Sequence, residues 1–246
     1  GFLLLLVGTT VELLTERGRA EARRRRWRRT VQDHHVICGY GVKGRAAARA
    51  LRDEGIGPDA IVVVEPDPAA GAMATADGLT VVPGDATRTA TLREAVIERA
   101  AVVIVAADRD DISVLTTLTA RELAPSARIV AAVREEENRH LLVQSGADDA
   151  IVTSETAGRL LGVSARNPDT ARIVEDLLDT AHGLTLVERR VDALEAGGAP
   201  AEIAGQRPFA VLRDGRLLRL DEDGALPLRT GDLVVSVAAG GEGQEG

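Results

Sequence analysis

The stretch that decides the fold is His35-Val36-Ile37-Cys38-Gly39-Tyr40-Gly41-Val42-Lys43-Gly44, in which an apolar strand runs into a G-x-G-x-x-G turn. An alanine-rich segment follows and predicts a helix from about Lys43 to Asp53. In such a turn the first glycine permits the bend, the second lets the backbone approach a phosphate, and the third packs the helix against the strand. The first helical N–H groups then face the ligand, where the helix dipole favours an anion.

A second apolar strand, Ile61–Val64, ends in Glu65, twenty-one residues after Gly44. An acidic residue at the tip of the second strand is where a ribose diol binds, and its charge would repel the 2′-phosphate of NADP. The alternative is a solvated turn residue before Pro66. The spacing from the glycines favours ribose binding, so the sequence predicts a dinucleotide or nucleotide site.

The composition sets limits on the class of protein. The chain has 246 residues, of which 45% are hydrophobic and 28% charged, as is ordinary for a folded soluble protein. The net charge of −8 argues against general nucleic-acid binding by the folded body. The single cysteine, Cys38, excludes an intrachain disulfide and a cysteine-clustered metal site.

Residues 1–30 differ from the rest of the chain. An apolar run from Phe2 to Leu14 is followed by many arginines, with Trp27 among them. Basic residues and one tryptophan directly after an apolar helix are typical of its cytoplasmic end. We interpret this segment as the end of a membrane helix and a basic linker, within a longer polypeptide. The alternatives are a soluble amphipathic helix with solvated arginines, or a nucleic-acid-binding arm.

Residues 31–165 alternate apolar strands with helical segments. The predicted strands after the first are Ile61–Val64, Leu79–Val82, Ala101–Ala106, Arg128–Val133 and Ala150–Val152. The predicted helices after the first are Pro68–Asp77, Thr91–Arg99, Asp111–Leu123 and Glu135–Gln144. Continuous apolar strands that alternate with helices predict an α/β fold with a Rossmann-like parallel sheet covered on both faces.

Right-handed crossovers place every strand-end loop at one edge of this sheet. The glycine turn, Glu65, Asp85 and Asp108 are therefore expected to converge on one site. Asp85 could instead cap the following helix, and Asp108 lies in an acidic run that also suits a helix N-terminus.

The last third has a different pattern. A helix is predicted over Asn167–His182, and short strands over Leu184–Val191, Phe209–Arg213, Arg216–Leu220 and Leu233–Val237. Asp214-Gly215 between two of them is a strong hairpin signal. We expect a smaller α+β subdomain over residues 166–238 and a flexible tail over 239–246, which lacks apolar residues beyond Ala239.

The chain resembles the RCK domains that regulate potassium conductance, of the TrkA-N plus TrkA-C type, over about Asp33–Val237. The matching stretches are Val36–Gly44, Val64-Glu65-Pro66-Asp67, Gly84-Asp85-Ala86-Thr87, Ala106-Ala107-Asp108, Gly146-Ala147-Asp148 and Arg229-Thr230-Gly231-Asp232-Leu233-Val234-Val235. Residues 1–29 resemble the distal inner pore helix and linker of a potassium channel.

The resemblance implies a regulatory domain rather than an enzyme. It implies NAD(H) or an adenine nucleotide (ATP or ADP) as the ligand, whose binding gates potassium transport. The implied partners are a membrane pore domain upstream in the same polypeptide and further copies of the chain, as dimers that form a ring, with no nucleic acid. The implied location is the cell membrane, with this region on the cytoplasmic side.

The residues predicted to bind the cofactor are Gly39, Tyr40, Gly41, Val42, Lys43, Gly44, Glu65, Asp85, Ala86, Ala107 and Asp108. No catalytic residue and no metal site are predicted. Calcium-gated members of the family carry acidic residues along the strand that matches Val130–Arg134, where this chain has Ala132 and Arg134. Many members also have an asparagine near the position of Ile112, and its absence leaves the identity of the ligand open.

The alternative from another class is a small NAD-dependent oxidoreductase. The nucleotide-binding half suits it equally well, but hydride chemistry needs a proton donor or base near the nicotinamide. Tyr40 is the only tyrosine and lies inside the phosphate turn, with Lys43 beside it. No Tyr/Lys pair can therefore be assembled elsewhere.

Overall fold

The computed structural model describes residues 27–178, 183–200 and 206–239, which fall into two compact units divided between Gly158 and Arg159. The apolar run Phe2–Leu14, most of the arginines that follow it and the tail from residue 240 lie outside the described residues. Among the helices that the structure describes, none has both the length and the apolar character needed to span a membrane.

The first unit alternates strands and helices. Its strands are β1 (His34–Cys38), β2 (Ile61–Glu65), β3 (Thr80–Pro83), β4 (Ala100–Val105), β5 (Arg128–Val133) and β6 (Asp149–Val152). Its helices are α1 (Val42–Asp53), α2 (Pro68–Ala76), α3 (Thr89–Glu94), α4 (Asp110–Leu123) and α5 (Arg139–Gln144), and α6 (Thr153–Arg166) runs across the division between the units.

The six strands form one parallel sheet in the order β3-β2-β1-β4-β5-β6. This doubly wound order reverses direction between β1 and β4, and ligands bind at the carboxyl ends of the strands at such a switch point. The Rossmann-like α/β prediction is confirmed.

Both faces of the sheet are covered, which explains why its central strands are continuously apolar. Along β1, Val36 and Cys38 face one core cluster, and Ile37 faces the other. The first cluster includes residues of α3, α4 and α5, and the second includes residues of α1 and α2. Burial raises the pKa of the Cys38 thiol to about 12, consistent with a small buried apolar residue.

The folded unit begins earlier than the predicted boundary at residue 31. Residues 27–30 are helical, and the Trp27 side chain is only 9% exposed. Its indole Nε1 donates to the Asp59 carbonyl at 2.7 Å, and its ring meets that of His34 edge to face at 5.3 Å. The Trp27 side chain is therefore part of the core of this unit, where its apolar ring is buried and its one donor is satisfied.

The second unit pairs the helix α7 (Pro168–Leu178) with a four-stranded antiparallel sheet. Its strands are β7 (Leu184–Arg190), β8 (Gln206–Arg213), β9 (Arg216–Arg219) and β10 (Leu233–Ala239), in the order β7-β10-β8-β9. The expectation of a second, smaller α+β subdomain is confirmed. The predicted end of the helix beyond Leu178 lies outside the described residues.

The turn between β8 and β9 adopts the predicted hairpin. Asp214 and Gly215 have φ angles of 51° and 75°, as a two-residue turn with both central residues left-handed requires. β8 begins at Gln206, earlier than predicted, because it accommodates Pro208 at an irregularity in its pairing with β10, between Val235 and Ser236. A proline inside a strand is tolerated at such a bulge because its missing N–H then breaks no ladder bond.

Three helical segments depart from the sequence predictions. The predicted helix Thr91–Arg99 is α3 followed by a separate 3-10 turn over Ile97–Arg99, because Val96 has a φ of 55° and ends the right-handed helix. The helix predicted from Glu135 is likewise a 3-10 turn over Glu136–Asn138 followed by α5. α6 was not predicted at all. Gly158 and Gly162 in its interior weaken the helical pattern that the sequence presents.

Candidate functional site

The three glycines of the loop after β1 differ in what surrounds them. Gly39 has a φ of 99°, and a Cβ there would lie 3.1 Å from the Ala106 carbonyl oxygen. A Cβ on Gly44 would lie 2.0 Å from the Gly39 carbonyl oxygen. A Cβ on Gly41 would meet nothing nearer than the Asp108 carboxylate at 3.9 Å. The loop therefore needs Gly39 for the turn and Gly44 for packing, whereas the space beside Gly41 is open to a ligand.

The start of α1 offers backbone donors. Gly41 is the N-cap residue and provides no side-chain hydrogen bond, and the first turn contains no acidic residue. The first N–H groups of a helix have no intrahelical partner, and the helix dipole adds partial positive charge at this end. An anion such as a phosphate would satisfy both requirements.

Glu65 ends β2 and its carboxylate is held in place by two backbone donors. The Tyr40 N–H donates to Oε2 at 2.5 Å, and the Asp67 N–H donates to Oε1 at 2.9 Å. The residue is only 8% exposed. Each carboxylate oxygen has a further lone pair. Glu65 therefore stiffens the glycine loop and keeps acceptor capacity for hydroxyl groups.

A cavity of about 190 Å³ lies where these strand ends meet. The ends of β1, β2 and β4 contribute Cys38, Val64 and Ala106. The loops contribute polar groups at the rim, among them Glu65, Asp85 and Asp108. The glycine loop contributes Gly39 and Gly41. The predicted convergence of these loops, from distant parts of the chain, is present in the structure.

Asp85 caps a turn rather than a helix. Its Oδ1 accepts from the Thr87 N–H at 2.9 Å and from the Thr87 hydroxyl at 2.8 Å. The backbone bond from Thr87, followed by the hydroxyl bond, lowers the pKa of this carboxyl. The N-cap of α3 is Arg88, which makes no side-chain cap bond, so the alternative that Asp85 caps that helix is wrong. Asp85 and Ala86 both line the cavity.

Lys43 contacts the loop that follows β4, beside the cavity but outside its lining. Its ammonium donates to the Ala107 carbonyl at 2.5 Å and lies 3.4 Å from the Asp108 carboxylate. The Asp108 side chain is 85% exposed, so this pair is worth little in stability. The ammonium is thus held close to the start of α1, as a positive charge that could turn to an anion.

Three predicted residues, Tyr40, Val42 and Lys43, do not line the cavity with their side chains. The Tyr40 side chain is buried in the core cluster beneath α1 and α2, and its hydroxyl donates to Asp77 at 2.8 Å. Burial, with that hydrogen bond, raises the pKa of Tyr40 to about 12. Only the backbone of Tyr40 takes part, through Glu65. Val42 is 77% exposed and is not among the cavity-lining residues.

The helix α4 also contributes to the cavity, although the sequence pattern did not predict it. Ile112 and Thr116 line the cavity from this helix. Their i, i+4 spacing, directly after the end of β4, was the available signal, because it puts both residues on one helix face. No group of histidine, cysteine or acidic residues suited to a metal ion occurs within residues 27–178, 183–200 and 206–239.

Residues 35–153 match the family model of the TrkA-N domain. The chain is also similar to potassium channel protein 1 of Methanocaldococcus jannaschii, at 30% identity over 150 residues, covering 61% of this chain and 45% of that protein. It is 28% identical over 169 residues to the calcium-gated potassium channel TvoK of Thermoplasma volcanium, covering 64% of this chain and 47% of that protein. The chain thus spans less than half the length of either relative.

Solved structures give the same fold. The TrkA-N domain of the inner membrane protein ybaL from Escherichia coli superposes with a TM-score of 0.50 at 20% identity, covering 54% of this chain and 96% of that chain. The structure of GsuK bound to ADP gives a TM-score of 0.50 at 27% identity, covering 57% of this chain and 36% of that chain. The human SLO3 gating ring gives a TM-score of 0.62 at 16% identity, covering 83% of this chain and 44% of that chain.

Proposed function

Taking residues 35–153 as a TrkA-N domain, we propose that this unit is a ligand-sensing regulatory domain of a potassium channel or transporter. We further propose that it senses NAD(H) or an adenine nucleotide, ATP or ADP. The observation that carries the proposal is the open space at Gly41 between two glycines that the fold itself requires. A Cβ there would meet nothing nearer than the Asp108 carboxylate at 3.9 Å, so the space beside Gly41 would be available for a ligand phosphate.

The ligand would lie along the carboxyl edge of the sheet. Its phosphates would accept from the uncapped N–H groups of α1, with Lys43 as a countercharge. The ribose hydroxyls would donate to Glu65 at the end of β2. The base would follow toward the end of β3, beside Asp85 and Ala86.

The volume of the cavity suits a ligand that is only partly enclosed by the protein. Pockets that enclose a whole drug-sized ligand measure about 300–1,000 Å³, whereas this cavity measures about 190 Å³. It would therefore enclose one part of a nucleotide and leave the phosphates over the open glycine loop. The related GsuK, seen bound to ADP, supports an adenine nucleotide as the ligand.

The proposal of a regulatory role is supported by the relatives, which are named as potassium channels. Under this proposal residues 166–238 are the companion subdomain of the TrkA-C type, and residues 1–30 connect to a pore domain on the cytoplasmic side of the cell membrane. Ligand binding would act on the pore only if two states of the assembly bind the ligand with different affinity.

The oxidoreductase alternative has no support from the positions of Tyr40 and Lys43. The hydroxyl of Tyr40 donates to Asp77, and the ammonium of Lys43 donates to the Ala107 carbonyl. The two groups thus do not form a proton-donating pair in the cavity.

The decisive variant is Gly41→Asp, tested on the 246-residue chain. Gly41 has φ −71° and ψ −157° at an N-cap, a position that favours aspartate. The new carboxylate would occupy the N–H groups that a phosphate needs and would repel it. We expect the affinity for ADP, ATP, NAD and NADH, measured by calorimetric titration, to fall at least about 100-fold with little loss of thermal stability.

The matched control is Gly57→Asp, which adds the same charge at an exposed N-cap with φ −63° before the 3-10 turn Pro58–Ala60. It lies at the opposite edge of the sheet and should leave binding unchanged. Unchanged affinity in Gly41→Asp would contradict the assigned phosphate site. A wild-type chain that binds none of the four nucleotides would contradict the proposed function.

A further inference from the structure

Two threonines of α4 carry buried hydroxyl groups that have no hydrogen-bond partner among the described residues. Thr116 is 1% exposed and Thr117 is fully buried. Other hydroxyls of α4 are satisfied: Ser113 donates to the Ala132 carbonyl at 3.0 Å, and Thr119 donates to the Leu115 carbonyl at 2.9 Å. A buried hydroxyl without a partner is costly, so these two exceptions call for a physical reason.

Only one of the two threonines borders the nucleotide cavity. Thr116 lines it, one helical turn after Ile112, whereas Thr117 does not. No hydrogen bond fixes the Thr116 hydroxyl, and threonine in a helix populates two χ1 rotamers. A bound molecule can therefore take up this hydroxyl as a partner, either as a donor or as an acceptor.

The neighbours of Thr116 suit the base of a nucleotide. Part of the cavity lining is apolar, at Val64, Ala86 and Ile112, which suits the flat faces of a purine. A purine also carries ring nitrogens at its edge, which would be left without partners in an entirely apolar wall. A hydroxyl in that wall would meet this need.

We propose that the Thr116 hydroxyl hydrogen-bonds the base of the bound nucleotide and so makes the site selective for ligands that carry a base. This inference rests on the proposed function, because it requires a nucleotide in the cavity. A site that contains a buried polar group favours the ligand that pairs with it, since a ligand without the matching group leaves it unpaired.

The test compares Thr116→Val with Thr117→Val in the 246-residue chain. Both variants remove an unpartnered buried hydroxyl and keep the branched shape, so neither should lower the melting temperature of the ligand-free protein. Thr116→Val should weaken ADP binding about tenfold, as loss of one hydrogen bond predicts. Thr117→Val should leave ADP binding unchanged.

Ribose 5-phosphate serves as the probe without a base, measured by its competition with ADP. Its affinity should be the same in the wild-type chain and in Thr116→Val. An equal loss for both ligands would overturn the assignment to the base. Unchanged ADP binding in Thr116→Val, or an equal loss of ADP affinity in Thr117→Val, would also overturn the role of Thr116. Neither result would contradict the proposed function. Absence of ADP, ATP and NAD(H) binding in the wild-type chain would instead remove the proposed function, and this inference with it.

Discussion

At the scale of single residues, the glycine loop shows why one sequence motif can serve folding and binding together. Gly44 is required by the protein itself, since its Cα lies against the Gly39 carbonyl, whereas Gly41 has room for a side chain. A substitution at one position therefore tests the fold, and a substitution at the other tests the ligand. The printed sequence shows two identical residues, and only their surroundings distinguish them.

We predict that Gly44→Ala lowers the free energy of unfolding of the first unit by about 3 kcal/mol or more, because its Cβ would overlap a backbone atom that cannot move without distorting the loop. The new Cβ would lie only 2.0 Å from the Gly39 carbonyl oxygen. Urea unfolding followed by the fluorescence of Trp27, the single tryptophan of the chain and part of this core, measures the change.

The matched control is Gly71→Ala in α2. Its Cβ would make an ordinary contact of 3.5 Å with the Val81 side chain. Removing a glycine from a helix interior should raise the free energy of unfolding by about 0.5–1 kcal/mol. The two glycine-to-alanine changes are thus expected to have opposite signs. A stable Gly44→Ala variant would show that the loop is not packed as described.

Side-chain roles at the site were less predictable than the glycines. Sequence spacing indicated Glu65 correctly as a group at the glycine loop, because strand ends of a parallel sheet share one edge. It could not indicate that the Tyr40 side chain turns into the core, since the direction of a loop side chain depends on tertiary packing. It also could not indicate Thr116, because burial without a partner is visible only in three dimensions.

At the scale of elements, the strands were predicted well and the short helices poorly. β5 matches its predicted bounds, Arg128–Val133, because a strand buried on both faces is a continuous apolar run. The helices have no such signal where they are short, interrupted or exposed. α6 has no buried residue, and Gly158 and Gly162 in its interior are poor helix formers that weaken its signal in the sequence.

The second unit depends on one ion pair to hold a long connection. Arg213 at the end of β8 pairs with Asp232 at 2.6 Å, and both side chains are buried. The same guanidinium donates to the carbonyls of Ala225 and Pro227 at 3.2 Å and 3.0 Å, so it fastens the segment between β9 and β10. The bond from Arg213 lowers the pKa of Asp232.

We predict that Arg213→Met lowers the stability of the second unit by about 3 kcal/mol, because it leaves the buried Asp232 carboxylate without its cationic partner and removes the donors to the Ala225 and Pro227 carbonyls. Arg213→Lys should recover only part of this loss, since an ammonium cannot reproduce the planar set of donors. Native-state hydrogen exchange of the β8 and β10 amides measures the change.

Arg216→Met is the control, because Arg216 is an exposed arginine of β9, in the same hairpin. Surface substitutions of this kind are usually within about 0.5 kcal/mol of neutral. Equal effects of Arg213→Met and Arg216→Met would show that the buried pair does not organise the connection.

At the scale of the whole molecule, the first unit leaves apolar side chains uncovered on two helices that contact each other. Leu115 and Leu118 of α4 are 50% and 53% exposed, and Leu141 of α5 is 38% exposed. Their exposure supports the expectation, implied by the family resemblance, that copies of this chain assemble, because a large exposed apolar patch often marks a contact surface. The repeat of such contacts would link ligand-induced changes in one copy to the next.

We predict that the wild-type chain self-associates through this surface and that Leu118→Glu raises the dissociation constant at least about tenfold, because a carboxylate would be buried at the contact. Sedimentation velocity over a range of protein concentrations measures both constants. Leu194→Glu is the control, because Leu194 is 95% exposed and belongs to the second unit, not to α4 or α5. A wild-type chain that stays monomeric at about 100 µM, a concentration well above the dissociation constant of a specific dimer, would contradict assembly through this surface. Equal weakening by both substitutions would point to a general effect of added charge, since both add one carboxylate and only Leu118 lies on the proposed contact.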